Sequence, residues 1–300
     1  MNFNAELNAR LSVIRDWLRE NKIGATNDKT ENIVWDMFRY VVKHSIEDDI
    51  NVIKEKLKQT PFTVMPGNLW EHLMEYFDGN NKYVAFFQDI SDLTPSALNT
   101  SPNACCGKFE LLYRLLRPNS MQPKKGDIMD NGEIYELKGC KVRISDTELT
   151  GVEYKRKCTK IFEGHIVGNT VKAGGLKGVN VYEIEKEPYK EHYKKEFGKD
   201  IVISKRLLRE YFDENGWRCV DAEIDSIFEG GAWNQEIMKK IILIKMFIKY
   251  KEKTEFDKMY IFGNGTNVKI ISAPEDLDKI KIGEDYFRIN QVANVGWYIE

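Results

Sequence analysis

The dipeptide Asn131-Gly132 constrains this chain more tightly than any other feature of it. A two-residue hairpin turn needs positive φ at both central positions, which Asn and Gly supply at least cost, so the pair predicts a tight reversal between two strands. A short strand candidate, Asp127–Met129, precedes it, and a longer alternating run, Glu133–Ile144, follows. Folding one run back on the other sets Asp127 beside Glu136 and Lys138. Residues two apart in a strand share a face, so Glu136 and Lys138 point one way and Tyr135 and Leu137 the other.

Around this hairpin the periodicity changes twice. Residues 1–100 read as a helical N-terminal region. Leu7, Leu11, Ile14 and Leu18 make one apolar stripe, and Ile33, Trp35, Phe38, Val41 and Val42 make another. Asp48–Lys58 and Asn68–Phe77 supply two more helices, and Tyr83–Phe87 suits either a strand or a helix. Residues 93–104 are rich in Ser, Thr, Asn and Pro, which is loop chemistry.

From residue 101 to 300 the pattern is mixed. Gly107–Arg117 predicts a helix that Pro118 ends. Val152–Phe162 suits a strand or a helix start, 164–178 a Gly-rich loop and Val179–Ile184 a strand. Lys205–Tyr211, with Ser204 as N-cap, and Trp233–Lys251 predict helices. Met259–Phe262 and Val268–Ile271 predict a strand pair across Gly263-Asn264-Gly265, with Tyr286–Ile289 and Val295–Ile299 placed to finish the sheet. The expected class is α/β (α+β), a central mixed sheet flanked by helices.

Composition narrows the function. With 42% hydrophobic residues the chain can bury a core, and the longest apolar run, Ile241–Ile248, is broken by Lys245, so no membrane span is expected. The N-terminus lacks the basic and apolar segments of a signal peptide. The five cysteines, 105, 106, 140, 158 and 219, match no zinc spacing and read as reduced thiols of a cytoplasmic protein. Residues 101–200 hold 19 Lys+Arg against 15 Asp+Glu, a net of +4 that leaves −6 for the rest of a chain of net −2. That local excess suits either a phosphate-contacting face or an ordinary mixed surface.

Two carboxylates and one ammonium converging on a sheet carry specific chemistry. Adjacent carboxylates repel, burial raises that cost, and a hard divalent cation such as Mg²⁺ relieves it. The lysine beside them can hold an attacking water. The Glu-x-Lys triplet alone says little: it occurs at Glu20-Asn21-Lys22, Glu136-Leu137-Lys138 and Glu153-Tyr154-Lys155. Only the middle copy follows a Gly-Asp pair and a tight turn.

Gly126-Asp127-Ile128 followed by Tyr135-Glu136-Leu137-Lys138-Gly139 resembles the core motif of the PD-(D/E)xK nucleases, the restriction-endonuclease-like superfamily, with Gly126 in place of the motif's proline. The run from Gly107-Lys108-Phe109-Glu110 onward is similar to phage-encoded endonucleases. The motif covers about residues 105–145. The resemblance implies a restriction-endonuclease-like core in 101–300 and a Mg²⁺-dependent endonuclease acting on DNA, with Mn²⁺ able to substitute. It implies Asp127 and Glu136 as metal ligands, the Leu137 carbonyl as a third, Lys138 as the water-positioning residue and Glu110 as a helical support. It also implies a homodimer for double-strand cleavage, in a host cytoplasm.

Other readings stay open. Asp127 as a turn residue with a Glu136–Lys138 salt bridge on a solvated strand gives a catalytically silent binding or structural protein on the same scaffold. RNA cleavage and exonuclease action also fit the motif. Lys124, Lys125, Lys141 and Arg143 flank the site and read either as DNA-phosphate contacts or as a solvated face. Ser145 shares Arg143's face if the strand continues, and Lys155, Arg156, Lys157 and Lys160 form a basic run of the same ambiguity. His44, His72, His165 and His192 read as structural.

Overall fold

The apolar stripes of the N-terminal region become helices whose buried residues recur at three- and four-residue spacing. Helix α1 (Phe3–Glu20) buries Leu11, Ile14, Trp17 and Leu18, and α2 (Asp28–Lys43) buries Ile33, Val34, Met37 and Val41. Helix α3 (Ile50–Gln59) buries Ile50, Ile53 and Leu57. Side-chain caps start the next two helices. Asn68 accepts from the Trp70 amide at 3.1 Å ahead of α4 (Leu69–Tyr76), and Asn80 accepts from the Lys82 amide at 3.1 Å ahead of α5 (Asn81–Ser91). The cap at Asn80 resolves the ambiguous Tyr83–Phe87 segment as helix, with Val84, Phe86, Phe87 and Ile90 buried.

The computed structural model describes residues 3–21, 23, 28–93, 108–139, 141–145, 191, 194, 204–214, 219–263, 267–279, 288–289 and 294–298. Contacts divide the chain into two compact units: Met1–Cys140 with Thr254–Asp276, and Lys141–Lys253 with Leu277–Glu300.

The first unit is α1–α5, a sixth helix α6 (Lys108–Leu116) and a five-stranded mixed sheet flanked by helices. Strands β2 (Ile128–Asp130) and β3 (Glu133–Gly139) form the expected hairpin, with Asn131 at φ 52° and Gly132 at φ 84°. The pair expected at Met259–Phe262 and Val268–Ile271 belongs to the same unit. Strand β5 (Lys258–Gly263) runs parallel to β3, pairing Tyr135 with Lys258 and Lys138 with Ile261, and β6 (Asn267–Ile271) runs antiparallel to β5. The two-residue β1 (Gly67–Asn68) closes the far edge on β6, giving the order β1-β6-β5-β3-β2. Parallel neighbours need a crossover, and here residues 140–257, most of the second unit's sequence, run between β3 and β5.

One face of this sheet shares a hydrophobic core with the helices. Ile128, Tyr135, Leu137, Tyr260 and Phe262 belong to the cluster that includes Trp17, Phe86, Phe87 and Leu112. Helix α6 lies on that face, with Tyr113 edge-on to Tyr135 and Tyr260 at 6.0 and 5.9 Å, and Phe109 stacked on Phe262 at 4.5 Å.

The second unit holds a three-stranded antiparallel sheet, order β4-β8-β7: β4 (Lys141–Ser145), β7 (Arg288–Ile289) and β8 (Asn294–Tyr298). Its described helices are α7 (Lys205–Glu214), which starts directly after Ser204, α8 (Asp221–Ile227) and α9 (Gln235–Thr254). Arg209 binds Asp221 at 2.8 Å, and Lys245 binds Glu223 at 2.7 Å, linking α7 to α8 and α8 to α9.

Two expectations are corrected here. Glu133–Ile144 is not one strand: it divides after Gly139, and Lys141–Ser145 pairs with β8 in the other sheet. The 288–289 and 294–298 strands do not finish the main sheet, because they pair with β4 and with each other. The candidates at 152–162, 164–178 and 179–184 lie outside the described residues. Among the described residues no helix is long and apolar enough to cross a membrane.

Candidate active site

Gly126 opens the site. Its φ of +74° is out of reach for proline, whose ring holds φ near −65°. A Cβ there would also stand 2.5 Å from Ile134 Cγ2. Glycine is therefore required at this position by the backbone. It turns the chain so that the Asp127 amide donates to the Tyr135 carbonyl at 3.0 Å.

From there Asp127 reaches along β3. Strand β2 begins at Ile128, opposite Tyr135, so β3 runs on past it. The Asp127 carboxylate occupies the place a further β2 residue would fill, and its Oδ2 accepts the Leu137 amide at 2.8 Å. That hydrogen bond sets Asp127 between Glu136 and Lys138 in sequence terms. The amide and carbonyl of one strand residue leave on the same edge, so the Leu137 carbonyl lies on the edge that Asp127 occupies.

The strand alternates as expected. Tyr135 and Leu137 belong to the helical core, while Glu136 and Lys138 leave the opposite face and their side chains meet, Lys138 Nζ donating to Glu136 Oε1. Glu136 is only 3% exposed, and its neighbours on β5 are Met259 beside Glu136 and Ile261 beside Lys138, both fully buried. An acid in such a place is costly unless it is paired.

The electrostatics follow from that placement. Burial pushes the Asp127 carboxyl up to about 6, and the Glu136 charge adds to the rise; the Lys138 ammonium and the Leu137 amide pull the other way. Two carboxylates thus stand close together, with an ammonium on Glu136 and a backbone amide on Asp127. The donors are hard oxygens, the chemistry that holds Mg²⁺ or Mn²⁺.

The other sequence-derived candidates fall elsewhere. Glu110 is half-buried on α6, the helix packed on the core face of β3, and among the described residues no three His, Cys, Asp or Glu side chains gather as a metal would require. Asp127, Glu136 and Lys138 come together. Lys124 is exposed, and Lys125, also exposed, is paired with Glu255. Lys141 and Arg143 lie on β4 of the second unit, opposite Tyr298 and Gly296, so the expectation that they continue the site strand is corrected by the pairing of β4 in the other sheet; their side chains lie outside the described residues, as do Ser145's and the whole Lys155–Lys160 run. Of the other triplets, Glu20 ends α1 and pairs with Lys54 at 2.7 Å, Asn21 is buried, and Lys22 lies outside the described residues. The Glu153 copy is outside the described residues. His44 binds Asp89 at 2.6 Å, in keeping with a structural role; His165 and His192 are not described.

The sequence reading missed Met259 and Ile261, the apolar wall beside the acidic pair. Their alternation is visible, but nothing local ties residue 259 to residue 136. It also missed Asp130, which the turn sequence disguises as a simple Asx position. Its Oδ2 accepts from Arg117 Nε at 2.6 Å and from the Tyr113 hydroxyl at 3.2 Å.

No protein-family model, no curated protein and no solved structure matches this chain.

Proposed function

We propose that the chain is a metal-dependent phosphodiesterase of the PD-(D/E)xK type, hydrolysing DNA internally with Mg²⁺, for which Mn²⁺ substitutes. The single observation that carries this reading is the convergence of Asp127, Glu136 and Lys138 on one stretch of β3, in the order and spacing of the motif. The donor set fits a hard dication: two carboxylates close together in a poorly solvated place, with an ammonium on Glu136, and a backbone carbonyl on the same edge.

In this reading Asp127, through the oxygen its amide contact leaves available, and Glu136 hold the ion, and the Leu137 carbonyl completes the protein's share. When bound, the ion lowers the pKa of a coordinated water and offsets charge on the scissile phosphate. Lys138 orients that water and faces the phosphate as a point charge. The apolar wall of Met259 and Ile261 keeps the acids out of bulk water, which strengthens every charge interaction in the site. Glu110, on α6, supports the metal or the lysine in the same reading. A homodimer, bringing two sites to one duplex, and a cytoplasmic setting belong to the same proposal.

The test is cleavage of supercoiled plasmid, linear duplex and RNA in Mg²⁺ or Mn²⁺, by the native chain and by Lys138→Ala. Metal-dependent nicking or linearisation of DNA that the variant lacks is the expected result. An equal rate from the variant, or no cleavage of any substrate by the native chain, leaves the silent-scaffold reading instead.

A further inference from the structure

Resting on that reading, we propose that Lys138 is a resident stand-in for the metal: its ammonium neutralises Glu136 in the metal-free chain and exchanges with a divalent cation at that carboxylate. A lysine needed only to hold water has no reason to touch a ligand carboxylate. Here its ammonium is bonded to Glu136 Oε1, and that carboxylate is 3% exposed beside Met259 and Ile261.

The charge count explains the contact. Without a metal, Asp127 and Glu136 together present two acidic groups on one stretch of β3. The Leu137 amide partners one oxygen of Asp127, but it carries no net charge. Lys138 is a cation in contact with Glu136, so it helps to hold the pair together until something more positive arrives. A dication at the same oxygens repels an ammonium a few ångströms away, with an energy that at an effective dielectric near 20 exceeds that of an exposed salt bridge. The ammonium then leaves Glu136, keeps its proton, and stands beside the ion where an attacking water and a phosphate would lie. The lysine thus becomes available for its part in hydrolysis only once metal is bound, which orders metal before catalysis. The same pairing lowers metal affinity, because the ion must displace a bound cation.

The experiment measures Mn²⁺ binding by calorimetry, and melting in chelator and in Mn²⁺, for the native chain, Lys138→Met and Lys138→Arg. Lys138→Met is expected to bind Mn²⁺ about tenfold more tightly or better. Its metal-free form is expected to melt several degrees lower and to recover in Mn²⁺. Lys138→Arg, which keeps the charge, is expected to stay near the native values. Unchanged or weaker binding by Lys138→Met overturns the exchange. Should Lys138→Met not fold, the native chain decides the matter through the ¹⁵N signals of its lysine ammonium groups, with Lys138's identified by its loss in Lys138→Arg. Saturating Mg²⁺ is expected to shift that signal, and an unmoved signal overturns the exchange. A native chain that binds no Mn²⁺ at all removes the metal-dependent reading itself; binding without the Lys138→Met gain removes only the exchange.

Discussion

The β2–β3 hairpin carries two buried acidic clusters, and they are charged differently. Near the turn, on the core face, Asp130 meets one guanidinium and one hydroxyl, from Arg117 and Tyr113. Its single negative charge is matched one for one. A few residues away, Asp127 accepts from the Leu137 amide and Glu136 from the Lys138 ammonium, with the two carboxylates close enough to repel. The first cluster is complete and ties α6 to the sheet. In the second, burial and the neighbouring Glu136 charge push the Asp127 carboxyl up, a placement a fold holds only at a cost. A matched ion pair ties elements together; a carboxyl raised by burial beside a second carboxylate marks a candidate functional site.

The comparison can be broken most sharply at Lys138. Lys138→Ala is expected to lower Mg²⁺-dependent DNA cleavage by about 10³-fold or more, measured on supercoiled plasmid under single-turnover conditions. The matching change at the other cluster, Asp130→Ala, is expected to cost about 3 kcal/mol in urea unfolding, because it strands a largely buried guanidinium, and to leave cleavage per folded molecule unchanged. If instead Asp130→Ala abolishes cleavage while the fold is intact, the division of labour between the clusters is wrong.

The pH dependence sharpens the same contrast. Asp127 has its folded-state pKa raised to about 6, above the ordinary value for an unfolded chain. The folded state therefore binds that proton more tightly. The resulting stability is fully present below the unfolded pKa, near 4, and is lost as pH rises through about 6. In chelator, the native chain is expected to unfold about 2 kcal/mol more easily near pH 7.5 than Asp127→Asn does, relative to their difference near pH 4. A flat difference across that window contradicts the account of a raised Asp127.

Smaller effects come from the glycines that shape the two ends of the hairpin. Gly132 has positive φ with open space around a Cβ, so Gly132→Ala is expected to cost about 1 kcal/mol. It should leave Mn²⁺ binding unchanged. Gly126 combines positive φ with a blocked Cβ, so Gly126→Ala is expected both to destabilise and to weaken Mn²⁺ binding by moving Asp127.

How much of this was legible in the sequence depends on distance along the chain. The Asn131-Gly132 turn, the shared face of Glu136 and Lys138, the α1 stripe and the places of helices α2 and α3 rest on neighbours within one turn or one strand, and they appear where expected; of the second stripe, Trp35 and Val42 are exposed, and Val34 and Met37 are buried instead. The hairpin placed Asp127 beside the pair for the same reason. What was not legible depends on partners far away or on backbone strain. The parallel pairing of β3 with β5 joins residues more than a hundred positions apart, and the Met259–Ile261 wall comes with it. The end of β3 at Gly139 sits where a Cβ would press on Phe109 at 3.1 Å, a close approach no alternation pattern announces. Lys141 and Arg143 continue the alternation in sequence but belong to another sheet. Asp130 looked like turn chemistry because its partner Arg117 lies on a different element.

The most direct measurement is a crystal of the native chain soaked in Mn²⁺ and read by anomalous scattering. A peak shared by the carboxylates of Asp127 and Glu136, with Lys138 drawn away from Glu136, is the predicted result. Saturating Mn²⁺ with no peak there, and the ammonium still on Glu136, would contradict it.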